Sequence, residues 1–547
     1  MTRREIVRVF ERLAFAAELR SDPRASAWKG AAWALRQLDE DLAVLLEERR
    51  LAKVRGIGPK SAALIADLLD GIEPGVVKEM ESALPEGLFE VRAVKGLGAK
   101  KIKTLWIDLG ITTLGELEYA CRENRLVTLK GFGAKTQTKV LEQIEEARRN
   151  ARKRRRYQAT TLATQLLAGV RKIPGVLRAE VVGDLPRGLE LIETFSLLVA
   201  AAPEALATLP ETLAEKLKAP ADVAIVCVPP NDFGRVAIEH TSNEVHREAL
   251  RQHASSMGVD WDTLEAPSAD AAYEALGLWP TPPERRDHPV LVQRGSPPIE
   301  YVTRASLRGA LHNHTTASDG SHSLRAMRDA AAAAQLAYLG ISEHSESAFY
   351  ARGLDQDRLR AQILEIEALN QEGSACVLLT GVESDILDEG ALDYPGTFLR
   401  ELEVVIASVH TRVQQDFAQA TDRLVAAPPH PHPAVIGHPT GRLLLGRPAL
   451  ELDPARFLDA CATSGCAVEL NANPARLDLS IEHLGLARER GVPVSIAADA
   501  HAMRELDNLD HGVAVARRAG LKPEHVLNCK SLPDLRAWLD ARPARQA

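Results

Sequence analysis

Residues 337–344 read AYLGISEH, a short apolar run that ends on an acid and an imidazole. Six other stretches share the short apolar run and polar end: ALHNH (310–314), CVLLTGVES (376–384), LEVVIASVH (402–410), AVIGHP (434–439), CAVELNAN (466–473) and VPVSIAADAH (492–501). Each reads as a short strand followed by a polar turn and a helical stretch. Strands that alternate with helices imply parallel βα units closing into a barrel, where function belongs at the C-terminal ends of the strands. The imidazoles and acids sit at those ends.

The candidates are His312 and His314 in HNH, Asp319 in SDG, His344 in SEH, Glu383 in GVE, His410 in SVH, His438 in GHP, and Asp499 with His501 in DAH. In an HxH at a strand end, alternate side chains point to one side, so both imidazoles can face one cation. One such histidine alone reads as a surface or hydrogen-bonded residue; nine donors at successive strand ends read as a metal centre. Nitrogen and oxygen donors without a thiolate favour zinc, manganese or iron over a structural cysteine site. Arg442 and Arg447, in GHPTGRLLLGR, follow a candidate ligand directly. They are expected either to fork onto a phosphate or to form structural ion pairs. His322, His430, His432, His483 and His511 match no ligand position, and the HPH run at 430–432 is expected to be an exposed loop.

Working outward, 547 residues are too many for one ordinary core and imply about three or four domains. Hydrophobic residues at 45% and charged residues at 26% are ordinary for a soluble chain, and no stretch reaches the ~18 uninterrupted apolar residues of a membrane span. The N-terminus, MTRREIVRVFERLAF, lacks the apolar core of a signal peptide, so a cytoplasmic protein is expected. The six cysteines form no CxxC pair, which argues against a disulfide framework or a thiolate zinc site. The net charge of -8 hides an asymmetry: residues 1–157 carry 31 Lys+Arg against 23 Asp+Glu. A basic end implies a polyanionic partner. Histidine is skewed the other way, with none before His240 and twelve of sixteen after residue 300. Imidazole chemistry therefore belongs to the C-terminal half.

The basic end contains an internal repeat. Its copies are VRGIGPKSAALIADLL (Gly56, Gly58, Lys60), VKGLGAKKIKTLW (Gly96, Gly98, Lys100) and LKGFGAKTQTKVL (Gly131, Gly133, Lys135). Two glycines around one apolar residue allow a tight turn that exposes backbone amides at the start of the next helix, where amides and helix dipole favour phosphate. This is the helix-hairpin-helix pattern, and three copies with lysine at one offset imply non-specific binding of the DNA backbone. The basic run Ala151–Arg156 is either a solvated helix end or a nucleic-acid contact. Next come a helix (ATTLATQLLAGV, 159–170) and strands such as AEVVG (179–183), FSLLVAA (195–201) and DVAIVCV (222–228).

In this order, the parts resemble the bacterial family X DNA polymerases, relatives of DNA polymerase beta that carry a C-terminal polymerase and histidinol phosphatase (PHP) domain. The resemblance covers essentially the whole chain. It implies a helix-hairpin-helix region over 1–157, a polymerase palm over 158–240, a thumb-like segment over 241–278, a proline-rich linker over 279–306 and a (β/α)7 PHP barrel over 307–547. It also implies a palm and thumb of α+β class, a monomer, and a monovalent cation at the helix-hairpin-helix turns.

Two-metal nucleotidyl transfer needs clustered carboxylates. The two aspartates of the family's metal pair fall on Thr194 and Ser196, and the third on Ala224. The serine of its phosphate-gripping turn falls on Asp184. A polymerase fold without polymerase activity is expected. On the PHP template, His312, His314, Glu383 and Asp499 would hold a first metal. Glu383 would bridge to a second, held also by His410 and His438, and Asp319, His344 and His501 would hold a third. The family's TDH reads Ser342-Glu343-His344, and Glu343 is expected behind the ligands. The implied activity is metal-dependent hydrolysis of DNA phosphoesters at gapped, nicked or 3'-ended DNA, with Asp499, Glu383 and Arg442 as catalytic candidates. A small-molecule phosphatase and a DNA-binding scaffold with a residual PHP site are the alternatives.

Overall fold

The computed structural model describes every residue except 2, 39–41, 73, 83, 124, 130, 152, 221, 412–414 and 544–547. It forms two compact units, Met1–Arg152 and Lys153–Ala547. The first is helical, built from Arg3–Arg20, Ala25–Arg36, Leu42–Glu47, Pro59–Leu69, Gly75–Ser82, Gly87–Val91, Ala99–Leu109, Leu114–Arg122 and Ala134–Ala151. Its first helix buries Ile6, Phe10, Leu13 and Ala17, a stripe at the four-three-four spacing that keeps one helical face inward. These side chains share one core with Leu35, Ile65, Met80, Ile102, Leu117 and Ile144.

Residues 153–157, grouped by sequence with the helical region, belong to the second unit. Arg154–Arg155 (β1) pairs antiparallel with Leu191–Ile192 (β3), and Arg156 opens the helix Arg156–Val170. The basic run is consumed here by intramolecular partners. Lys153 meets Glu193 at 3.2 Å, and Arg154 forks onto Asp222. Arg155 donates to the Leu444 carbonyl at 2.8 Å and Arg156 to that of Leu185 at 2.6 Å. Arg152 lies outside the described residues.

The second unit opens on a three-stranded sheet of β2 (Val176–Gly183), β4 (Phe195–Ala201) and β5 (Val223–Val228), with β4 central, antiparallel to β2 and parallel to β5. Helices Phe233–Thr241, Glu244–Ser256 and Ala269–Ala275 follow. The proline-rich stretch expected as a linker is instead fastened to its surroundings. Trp279 donates its amide to the Val292 carbonyl at 2.8 Å. Glu284 pairs with Arg517 at 2.8 Å, and Asp287 pairs with Arg518 at 2.9 Å and with Arg187. The paired carboxylates turn a composition typical of a spacer into a strap.

The remainder is a nearly closed parallel barrel of seven strands: β6 (Gly309–Ala310), β7 (Tyr338–His344), β8 (Val377–Asp385), β9 (Val404–Ser408), β10 (Val435–Gly437), β11 (Ala467–Asn471) and β12 (Val494–Ala497), neighbours in that order. A bridge between Asn313 and Ala500 brings its two ends together. Every residue of β7 and β9 is buried, as expected where helices cover the outside and side chains fill the inside. Backbones approach closely enough that a Cβ at Gly381 would lie 2.6 Å from the Val404 carbonyl and 2.7 Å from that of Ile341. Five crossover helices start on a side-chain cap, from Ser323, Asp355, Asp416, Asp453 and Ser480, each typically worth ~1 kcal/mol. The fold is therefore a helix-hairpin-helix region, an α+β segment and a C-terminal (β/α)7 barrel. Among the described residues, no helix is long and apolar enough to cross a membrane.

Candidate metal centre

The strand ends deliver their side chains to one place, and Glu383 lies at its middle. Its Oε1 is 3.0 Å from His438 Nε2, 3.1 Å from His410 Nε2 and 3.3 Å from His312 Nε2, while Oε2 is 2.9 Å from His344 Nδ1. Asp499 Oδ1 lies 3.3 Å from His314 Nε2 and 3.7 Å from His312 Nε2. Asp319 completes the outer side, with Oδ1 3.4 Å from His501 Nε2 and Oδ2 3.5 Å from His344 Nε2. All nine candidates converge. His312, His314, Glu383 and His438 are fully buried, whereas Asp319 and His501 are about one-third exposed and form the mouth.

Local backbone geometry explains the convergence. His312 and His314 face the cluster, while the intervening Asn313 turns away and donates to the Gly340 carbonyl at 3.0 Å. His438 and Asp499 adopt φ of 26° and 49°, left-handed conformations that cost non-glycine residues roughly 1–3 kcal/mol and concentrate at functional sites. Glu343 sits behind the ligands as expected. Its carboxylate accepts from Thr315 N at 3.0 Å, from Gln362 Nε2 at 2.9 Å and from the hydroxyls of Thr315 and Ser318, which fixes the loop that presents Asp319.

Charge and burial oppose each other throughout. Burial alone would raise Glu383 and Asp499, but His410, His312 and His344 around the first and His312 and His314 around the second hold both well below the usual carboxylate range. Burial alone would lower His344, His410 and His501; the facing carboxylates instead push them up to about 10, 9 and 9. His314 is the exception, pushed down to about 3 by burial and the charges of His501 and His344.

Among the described residues, three donor sets have ligand atoms within 4.8 Å of one another: His312, His314 and Asp499; His344, Glu383 and His410; and His314, Asp319, His344 and His501. Buried polar atoms normally find hydrogen-bond partners. Here both oxygens of Glu383, His312 Nε2, both ring nitrogens of His314, His344 Nδ1 and His438 Nδ1 are buried without one. Orphaned oxygen and imidazole donors in this number fit divalent cations.

Sequence reasoning missed the supports behind these groups. Asp385 Oδ1 accepts from the backbone N of His410 at 3.0 Å and lies 2.9 Å from its Nδ1. Glu469 Oε2 lies 2.7 Å from His312 Nδ1, and Oε1 accepts from the backbone N of His438 at 3.2 Å. Asn471 donates to Asp499 Oδ2 at 3.0 Å, and Arg476 Nε lies 3.9 Å from the same oxygen. Asp385 was readable, since it follows Glu383 by two residues and the strand period puts both on one side. Of the two arginines, Arg442 takes the structural alternative, pairing with Glu190 at 2.6 Å and donating to the carbonyls of Arg476 and Leu477. Arg447 donates to the Gly441 carbonyl at 2.9 Å. His430 and His432 are half-buried rather than exposed.

In the first unit the three repeats share one local form. Gly56, Gly96 and Gly131 are left-handed at φ of 98°, 86° and 90°, which a residue with a Cβ rarely adopts. Ile57, Leu97 and Phe132 tuck into the core. Gly58 and Gly98 then cap the helices Pro59–Leu69 and Ala99–Leu109 in extended conformation without a side-chain partner, and Gly133 precedes Ala134–Ala151. Lys60, Lys100 and Lys135 are exposed beside these turns. On the small sheet, Ser196 and Ala224 are register partners across β4 and β5, and Thr194 immediately precedes β4.

Family models agree with this layout, with a helix-hairpin-helix domain matching residues 1–73 and a SAM-like helix-hairpin-helix tandem matching 89–146. The chain is 32% identical, over 98% of its length and 99% of the relative's, to "DNA polymerase/3'-5' exonuclease PolX" of Bacillus subtilis. The chain belongs to the PolX family. Shorter relatives of this PolX member bear the name "Probable phosphatase". The one from Caldanaerobacter subterraneus subsp. tengcongensis is 30% identical over 31% of the chain and 67% of the relative, and that from Edwardsiella ictaluri 31% identical over 28% and 63%.

Proposed function

We propose that this chain binds DNA without sequence preference through its helix-hairpin-helix turns and hydrolyses phosphoester bonds at the barrel centre. The reaction would be 3'-5' exonuclease or 3'-end processing at gapped, nicked or 3'-ended DNA, with abasic-site incision in the same range of chemistry. The observation that carries the reading is Glu383, whose two oxygens are met by four histidines from four different strand ends. Three cations would sit there: one on His312, His314, Asp499 and Glu383, one on Glu383, His410 and His438, and one on Asp319, His344 and His501. Manganese, zinc or iron suits such donors. Divalent cations at such a site supply Lewis acidity that polarises the phosphoryl group and makes water nucleophilic near neutral pH. The protein's own part is orientation. Asp385 fixes the ring of His410, Glu469 that of His312, and Asn471 the carboxylate of Asp499, while burial of the deep side excludes bulk water.

The small sheet would be a polymerase fold without polymerase chemistry. Ser196 and Ala224 are paired in register and Thr194 adjoins them, so the positions that need clustered carboxylates carry none. The names of the shorter relatives favour a second reading, a phosphatase, which we take to act on small molecules. One experiment separates the readings: incubate full-length protein and His312→Ala with 3'-labelled gapped DNA and with histidinol phosphate, in manganese. DNA degradation that disappears in the variant supports the nuclease. Intact DNA with rapid phosphate release supports the small-molecule enzyme, and primer extension by the wild type would overturn the loss of polymerase chemistry.

A further inference from the structure

The loop after β7 runs from His344, at the edge of the centre, to Leu354. It is pinned at both ends. Ser345 and Leu354 bridge in parallel, Leu354 N donates to the His344 carbonyl at 2.9 Å, and the Tyr394 hydroxyl caps the Leu354 carbonyl. Gly353 closes it so tightly that a Cβ there would lie 1.9 Å from the Ser345 carbonyl. Ala348, Ala351 and Leu354 are buried beneath it. On this anchored base stand two adjacent aromatic side chains in solvent. Phe349 is 84% exposed, and Tyr350 is 60% exposed. The rings meet edge to face at 6.0 Å, and Tyr350 lies 6.4 Å from the ring of His344. Burial of its hydroxyl end, with Asp385, Glu383 and Asp319 nearby, pushes Tyr350 up to about 12, in keeping with a place over the mouth.

Single exposed apolar residues need no explanation, but two adjacent aromatics on a rigid turn beside a reaction centre do. Seven of the ten phenylalanines are buried, so this chain does not leave such rings in water by default. We propose that Phe349 and Tyr350 form a stacking platform for an unpaired nucleobase of the strand being cleaved. The inference rests on the phosphoesterase reading and adds what the substrate must present: a phosphate at the metal ligands and, one nucleotide's reach away, an aromatic base. Aromatic faces hold any base by stacking, which suits sequence-independent action on single-stranded ends. The platform binds and aligns; it supplies no proton and no ligand.

The test is single-turnover removal of a 3'-terminal nucleotide in manganese from two oligonucleotides, one natural and one whose last two residues carry no base. Phe349→Ala and Tyr350→Ala are expected to raise the half-saturating concentration of the natural strand by about tenfold each, with the baseless strand unchanged. Phe349→Trp should keep wild-type binding, and unchanged thermal unfolding would show that exposed positions were altered without loss of fold. Equal effects on both strands, or no effect on either, overturn the platform and leave the phosphoesterase standing. If the wild type cleaves neither strand, the phosphoesterase reading itself fails and takes the platform with it.

Discussion

Asp385 shows how much of the centre depends on a residue that binds nothing itself. It holds His410 through both the backbone amide and the ring, so Asp385→Ala should leave the imidazole in place chemically but free to turn. Manganese affinity should fall by roughly 10- to 100-fold, read by calorimetric titration, with Asp385→Asn less affected. A second prediction concerns His246, whose Nδ1 lies 2.7 Å from the His288 carbonyl and whose Nε2 lies 2.8 Å from the Tyr273 hydroxyl, with Arg286 close by. Burial pushes it from 6.5 down to about 4. The unfolded chain therefore binds the extra proton between those values. Stability from this residue is complete above about pH 6.5, declines as pH falls to about 4 and is flat below, by ~3 kcal/mol in all. Urea unfolding across that range should show the slope in the wild type and a shallower one in His246→Gln. Eight of the nine candidate ligands were legible because they close short apolar runs, a pattern that survives without knowledge of the fold, whereas Asp319 sits in the polar turn TTASDG that follows the first of them. Glu469 was not legible, because its strand ends in no histidine and its partner, His312, lies 157 residues away.

At the scale of elements, the loop that follows His438 is held from outside the barrel. Arg442 reaches Glu190, on the turn between β2 and β3, and Arg155 of β1 caps the Leu444 carbonyl. Burial raises Glu190 while Arg442 opposes it, a pair that stands only while both members are present. Glu190→Ala should cost about 3 kcal/mol in thermal unfolding, because it leaves a largely buried guanidinium with carbonyl partners but no counter-charge. Glu190→Gln with Arg442→Met should cost less than the single change, since no unpaired charge remains. This contact explains why the phosphate-fork expectation for Arg442 fails to describe its surroundings: the sequence shows its neighbour in the chain, His438, but not the carboxylate brought to it across 252 residues. The helical repeats were easier to read. Each turn is written within about six residues, in two glycines and the apolar residue between them, so local chemistry alone specifies it.

For the whole molecule, the uneven distribution of charge predicts how DNA is held. Lys60, Lys100 and Lys135 stand beside three copies of one turn, and their replacement by Gln should weaken binding equally for unrelated sequences. If all three meet phosphates, the slope of log affinity against log salt should become shallower by about three, measured by fluorescence anisotropy from low to physiological salt. The barrel's hydrolytic centre should keep its manganese affinity in this variant, because the substitutions lie in the other compact unit.

The strap Trp279–Pro298 has a consequence for the chain's covalent integrity. Residues 293–300 form a continuous exposed stretch where a protease can cut. Yet Asp287, Glu284, Arg155 and Glu190 on one side of the cut grip Arg518, Arg517, the Leu444 carbonyl and Arg442 on the other. A clipped molecule should run as two bands on a denaturing gel and elute as a single species in native buffer, parting only when high salt or urea loosens the clasp. The peptide bond at that point joins two pieces that already hold each other.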